Sequence, residues 1–157
     1  MEYLKKALKV AGFLDNSLVY GEGLRSVLFV SGCRHNCPGC HNKCMQDFNY
    51  GDNVSLGEIL SRIKSNIPLI KGVTFSGGDP FEQAEALSCL AVEIKDMGLN
   101  IWCYSGYTYE EILKSNDKNK LGLLDKIDVL VDGRYEEKQK KGSLKYTGSS
   151  NQKIIRL

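Results

Sequence analysis

Four of the chain's six cysteines, Cys33, Cys37, Cys40 and Cys44, fall within twelve consecutive residues. Disulfides between such close neighbours would close very small loops and stabilise little. A secreted chain would spread its cysteines across the fold as a framework, so the cluster reads instead as metal ligands or reactive thiols. Any fold open to this sequence must present the stretch as a loop on which thiols converge. Cys33, Cys37 and Cys40 have the spacing C-x3-C-x2-C, and thiolates suit iron–sulfur clusters and zinc. Three thiolates from one loop can hold three irons of a [4Fe–4S] cube and leave the fourth open. With Cys44 or His41 as a fourth ligand, the same loop would hold a closed cluster or a zinc ion. Spacing alone leaves these readings open.

The rest of the chain alternates strands with helices. Ser26–Ser31 is a short apolar run suited to a buried strand. Ser55, with Glu58 three residues on, opens a helix that carries Leu56, Ile59, Leu60 and Ile63 on one face to about Asn66. Lys71–Ser76 is a second strand, and Asp79-Pro80 starts a long helix ended near Met97 by Gly98. Asn100–Ser105 is a third strand, Thr108 and Glu111 form a capping box, and Ile127–Val131 is a fourth strand closed by Asp132-Gly133. Gly142–Asn151 is loop-like and Lys153–Leu157 a final strand. Such alternation predicts a mostly parallel sheet with right-handed crossovers, whose ligands bind at the carboxyl ends of the strands. The motifs lie there: Gly32-Cys33, Gly77-Gly78-Asp79, Tyr104-Ser105-Gly106 and Asp132-Gly133 each follow a strand.

Composition narrows the class further. The 157 residues make one ordinary domain, and 42% hydrophobic with 25% charged residues is a globular balance. A complete eight-stranded (β/α) barrel takes about 250 residues, so a barrel of this length is a partial one. Twenty-one basic against nineteen acidic residues leave a net charge of +2, too weak to imply nucleic acid. No apolar run reaches a membrane span. Met1–Val10 lacks the apolar stretch of a signal peptide, which predicts a cytoplasmic protein.

Several segments together carry a resemblance. Gly21-Glu22-Gly23-Leu24-Arg25, Leu28-Phe29-Val30-Ser31-Gly32-Cys33 and Cys37-Pro38-Gly39-Cys40-His41-Asn42 come first, followed by Ser76-Gly77-Gly78-Asp79-Pro80. Trp102, Ser105-Gly106-Tyr107, Val129–Gly133 and Gly148-Ser149-Ser150-Asn151-Gln152 follow in order. The cysteine loop resembles that of the radical S-adenosylmethionine (SAM) superfamily. The whole series, over roughly residues 18 to 157, resembles its activases of the anaerobic (class III) ribonucleotide reductase.

The resemblance implies a single radical SAM domain over 1–157, an incomplete, open (β/α) barrel with its cluster loop at 33–40. It implies that Cys33, Cys37 and Cys40 hold a [4Fe–4S] cluster whose open iron is chelated by the methionyl end of SAM. Reductive cleavage of SAM would give methionine and a 5′-deoxyadenosyl radical, which would take hydrogen from a backbone glycine of the reductase large subunit. The implied partners are that large subunit and a low-potential electron donor such as flavodoxin. Backbone at Gly77 and Gly78 would meet the SAM amine. Asp79 would add charge there unless its role as helix N-cap uses its oxygens. Gly39 stands where the superfamily often carries an aromatic against adenine, and His41 could stack there instead.

Other residues have plainer readings. Cys44 is a nearby non-ligand thiol, and Cys89, among Leu87, Leu90 and Ala91, is core. Cys103 alternates with Trp102 and Tyr104 and faces either core or site. Arg25 reads as a solvated arginine ahead of one that orients a SAM or cluster-loop carbonyl, and the charge run from Glu136 to Lys141 as a solvated loop ahead of a docking site for the reductase. Gly148–Gln152 either lines the open edge or contacts a partner. Thr147 stands where the resemblance leads one to expect an arginine. Two rival functions remain: an activase of another glycyl-radical enzyme such as pyruvate formate-lyase, and a non-catalytic iron–sulfur or zinc module that uses Cys44.

Overall fold

The computed structural model describes residues 5–142 and 144–157. The first four residues of the N-terminal stretch and Ser143 of the expected 142–151 loop lie outside the described residues. Strand β1 (Ala7–Ser17) turns back into β2 (Arg25–Val30), and β3 (Asp52–Ser55) leads into α1 (Leu56–Ser65). Then follow β4 (Gly72–Gly77), α2 (Ala84–Asp96), β5 (Asn100–Tyr104), α3 (Tyr109–Lys114), α4 (Lys118–Lys126), β6 (Val129–Asp132) and β7 (Lys153–Arg156). All strands join one seven-stranded sheet in the order β3-β1-β2-β4-β5-β6-β7.

The sheet is mixed rather than mostly parallel. The β2-β4, β4-β5 and β5-β6 joints are parallel, whereas β3-β1, β1-β2 and β6-β7 are antiparallel. For the β1-β2 joint the reason is connection length. Helices cross between the central strands, but only a short turn joins β1 to β2, and a turn that short returns the chain antiparallel. Among the described residues, the strand β1, the short β3 and the helix α4 are elements that the periodicity did not announce. The helix expected from Asp79 begins as a single 3-10 turn, Pro80–Gln83, before α2.

Alternation along the central strands gives the sheet two unlike faces. Leu28, Val30, Val73, Phe75, Ile101, Cys103 and Leu130 face α1, α2 and α4 and build the main core with Ile59, Ile63, Leu87, Leu90, Ile94 and Leu123. Each such fully buried side chain contributes about 1.5–3 kcal/mol. Cys103 therefore belongs to the helix side, where burial drives its thiol well above the ordinary range. On the other face, Trp102, Val129 and Val131 pack with Tyr104, Tyr146 and Ile154.

That second face also hides Arg25, which is fully buried rather than solvated. It sits at the start of β2, the opposite end of the strand from the cysteine loop. Its Nε donates to Thr74 Oγ1 at 2.8 Å, and its terminal nitrogens donate to the carbonyls of Glu22 (2.9 Å), Val73 (2.9 Å) and Asn100 (3.3 Å). Trp102 lies against the guanidinium at 5.6 Å, and burial lowers its pKa to about 10. The residue ties together the amino ends of β2, β4 and β5. Among the described residues no helix is long and apolar enough to cross a membrane.

The capping box on α3 forms as expected: Thr108 Oγ1 accepts from Glu111 N at 3.1 Å, and Glu111 Oε1 accepts from Thr108 N at 3.0 Å. The Arg134 guanidinium grips the same carboxylate at 2.9 and 3.1 Å, and with the Thr108 N–H it holds Glu111 down to about 2. A depressed carboxyl stabilises the fold above its unfolded pKa and loses that contribution as pH falls through its folded value. Arg134→Ala is therefore expected to raise the Glu111 pKa toward 4.5 in an NMR titration. Arg25→Ala strips a donor from several buried acceptors at about 1–3 kcal/mol each, so urea denaturation should show a loss of about 3 kcal/mol or more. Arg25→Lys should recover little of it, because an ammonium lacks the planar fork.

Candidate metal centre and its cavity

The cysteine loop leaves the end of β2 and hangs between two anchors. On one side the chain returns through residues 45 and 46, whose carbonyls accept from Gly32 N (2.7 Å) and Cys33 N (3.0 Å). On the other side the end of β4 is tied to the same loop: Gly78 N donates to Val30 O at 2.7 Å and Asp79 N to Gly32 O at 2.8 Å. Gly77 has φ +103°, and a Cβ there would stand 2.4 Å from Val30 O, so this close approach needs glycine. Asn42 Nδ2 donates to Gly77 O at 3.3 Å.

Asp79 is the hub of the site. It is fully buried, and both carboxylate oxygens are engaged. Oδ1 accepts from Phe81 N (3.0 Å) and Oδ2 from Gly106 N (3.0 Å), while the Ser105 hydroxyl lies 2.9 and 3.0 Å from the pair. His35 Nε2 lies 2.6 Å from Oδ2, with both side chains out of solvent. The helix-cap role and a second role therefore coexist. The second role reaches His35 and the β5 end, and leaves the carboxylate surrounded by protein donors. His35 stands between Cys33 and Cys37 in the chain and meets Tyr107 edge-on at 4.4 Å. A Cβ on Gly106 would stand 2.4 Å from the His35 ring. Glu82 accepts from Tyr107 Oη (3.0 Å) and Arg34 (2.9 Å).

Cys33, Cys37 and Cys40 are half-buried and line one cavity of about 390 Å³. His41, Gly77 and Gly78 line it too, and Tyr104, Val131, Tyr135 and Tyr146 make its far wall. Gly39 is exposed beside the Glu137 carboxylate, and the His41 ring meets Tyr135 at 4.9 Å. A slightly larger cleft, about 470 Å³ near Lys6, Phe81 and Asp117, holds none of the expected residues. Cys44 is exposed, on a short 3-10 turn, and does not line the cysteine cavity.

Burial pushes the Cys33 thiol up to about 11, against a backbone N–H from His35 that lowers it. Burial also raises Cys37, opposed by the Tyr135 N–H. A metal entering here must displace protons as it binds. The donor set fits an iron–sulfur group: three thiols from one loop face a common space, and backbone N–H groups already point at two of the sulfurs. His35 and Tyr135 were not singled out from the sequence, and Tyr107 was named only within the Ser105-Gly106-Tyr107 motif, with no role given. The only advance signal was the place of His35 inside the cysteine motif.

A family model described as a 4Fe-4S single cluster domain matches residues 19–155. The anaerobic ribonucleoside-triphosphate reductase-activating protein of Haemophilus influenzae is 35% identical over 152 residues, 92% of this chain and 96% of that protein. Proteins of the same name from Escherichia coli K12 and Enterobacteria phage T4 are 33% and 34% identical. The first covers 89% of this chain and 93% of its own length, the second 87% and 86%. The chain belongs to the family of anaerobic ribonucleoside-triphosphate reductase-activating proteins. The crystal structure of QueE from Escherichia coli shares its fold with a TM-score of 0.55 at 14% identity, over 65% of this chain and 54% of that one.

The His35–Asp79 contact can be tested without deleting either group. Gly106→Ala drives a methyl into the His35 ring and should loosen the cysteine loop. Thiol alkylation of the metal-free chain is expected to speed up at Cys33, and unchanged labelling would show that His35 does not order the loop. Asp79→Ala strips the acceptor from Phe81 N, Gly106 N and the Ser105 hydroxyl at about 1–3 kcal/mol each, so urea denaturation should show a loss of about 3 kcal/mol or more.

Proposed function

We propose that this protein activates an anaerobic ribonucleotide reductase by generating a glycyl radical on its large subunit, through reductive cleavage of SAM at a [4Fe–4S] cluster. The observation that carries the reading is the convergence of Cys33, Cys37 and Cys40 on one cavity whose adjoining wall is the Gly77-Gly78 turn. Those three cysteines would hold the cluster. When bound, the cluster and SAM would supply the low-potential one-electron chemistry of the reaction.

The chain's own groups bind, orient and exclude. The Gly77-Gly78 backbone and His41 offer the surface for SAM next to the thiols, whereas Gly39 stands outside the cavity lining, against Glu137. His35, held by Asp79, fixes the loop between its first two cysteines, so Asp79 serves the site by positioning. Tyr104, Val131 and Tyr146 give the cavity an apolar wall, which keeps water from a reactive species. The parallel block β2-β4-β5-β6 supports the description of the chain as one incomplete, open (β/α) barrel domain with its cluster loop at 33–40. The open side suits a protein substrate, the reductase large subunit, whose glycine must reach the cavity. A low-potential donor such as flavodoxin in the cytoplasm would supply the electron.

The deciding experiment is anaerobic reconstitution followed by reduction with dithionite in the presence of SAM. The expected product is 5′-deoxyadenosine, abolished by Cys33→Ala and retained in Cys44→Ala. A chain that takes up metal yet never cleaves SAM, alone or with a reductase added, and that loses its metal in Cys44→Ala, is a binding module instead. Cleavage with radical transfer only to a different glycyl-radical enzyme would reassign the partner.

A further inference from the structure

The segment Gly148–Gln152 is strongly polar, yet its Ser149 is fully buried. Gln152 Oε1 accepts from the N–H groups of Gly148 (2.7 Å) and Ser149 (3.2 Å), which folds the segment onto itself. Its other bonds converge on the chain leaving β6. Gln152 Nε2 donates to Gly133 O at 2.9 Å, and Asn151 Nδ2 to Arg134 O at 2.8 Å. Ser149 Oγ accepts from Glu136 N at 3.2 Å. Ser150 donates through its backbone to Gln139 O (2.9 Å) and through its hydroxyl to Gln139 Oε1 (3.0 Å).

Backbone groups on both sides of Tyr135 are thereby held, and Tyr135 itself serves the cysteine loop. Its backbone N–H lies close enough to the Cys37 thiol to oppose the rise that burial causes there. Its ring stands 4.9 Å from that of His41 on one side. On the other it lies against Gly148, where a Cβ would be 3.2 Å from a ring carbon. Two residues on, the Glu137 carboxylate abuts Gly39, 2.7 Å from where a Cβ would stand. One short stretch thus touches the loop at Cys37, Gly39 and His41.

We infer that Gly148–Gln152 is a positioning motif for the cysteine loop, acting through residues 133–139 with Tyr135 as the bridge. The inference rests on the reading of Cys37 as a cluster ligand. A plain surface turn would not bury Ser149 or turn its side-chain amides inward. A docking surface would present those amides outward, whereas both amide nitrogens are spent on the protein's own carbonyls. Groups that orient a ligand from behind typically change metal affinity by about 10–100-fold when removed.

The test uses the full chain, reconstituted anaerobically with its cluster. Gln152→Ala and Tyr135→Ala should lose iron to a strong chelator about tenfold faster than the parent. They should also shift the electron paramagnetic resonance spectrum of the reduced cluster. Tyr135→Phe, which keeps the ring and the backbone, should match the parent in both. If Gln152→Ala fails to fold, as judged by circular dichroism of the metal-free chain, the Tyr135→Ala and Tyr135→Phe pair still decides. Parent-like iron loss and spectra in Gln152→Ala and Tyr135→Ala overturn the inference. Such spectra combined with lost reductase activation would reassign the motif to partner contact. A parent chain that binds no cluster at all overturns instead the functional reading beneath it.

Discussion

A single buried carboxylate organises the working end of this protein. Asp79 is out of solvent and, among the described residues, has no lysine or arginine partner; the contacts around it come from the 3-10 turn before α2, the end of β5 and the cysteine loop. A buried carboxylate is costly unless its lone pairs are met. These separate elements must therefore arrive in register together or none is well placed. His35 is the member that matters most for chemistry, because it converts a flexible run between two cysteines into a loop with a fixed inner wall.

The two ends of the parallel strands are built on opposite principles. At the amino ends, Arg25 satisfies carbonyls from neighbouring strands and Trp102 covers it, so that end is closed and dense. At the carboxyl ends the chain leaves glycines, half-buried thiols and a cavity. A polar cation deep in one end and an open space at the other divide stability from function along a strand only six residues long. The strands joined by helical crossovers, β2, β4, β5 and β6, are the ones that run parallel.

Much of this was legible in the residues. Short apolar runs marked β2, β4, β5 and β6, and cap residues Ser55 and Thr108 marked α1 and α3, because both signals are local. The cysteine spacing and Gly77-Gly78-Asp79 pointed to the cavity for the same reason. What escaped was what depends on distant partners. Strand β1 is half exposed and reads ambiguously until it pairs with β2 and β3. Arg25 carries no local mark of burial; its acceptors come from β4, β5 and the turn before β2. Asp79 was legible as a helix cap, since that bond lies two residues away, but its bonds to Ser105 and His35 lie 26 and 44 residues away. The polar Gly148–Gln152 stretch could not be placed, since its partners at 133–139 are themselves irregular chain.

The hold of Gly148–Gln152 on residues 133–139 has a bearing on the order of biosynthesis. The cysteines leave the ribosome early, yet the carbonyls of Gly133 and Arg134 meet their donors only after residues 151 and 152 have emerged. A nascent chain therefore displays bare thiols for most of its translation without the backing that orients Cys37. On the inference drawn above, metal delivery would follow synthesis of that segment, and a polypeptide stalled upstream of it would offer a reactive loop rather than a finished receptacle.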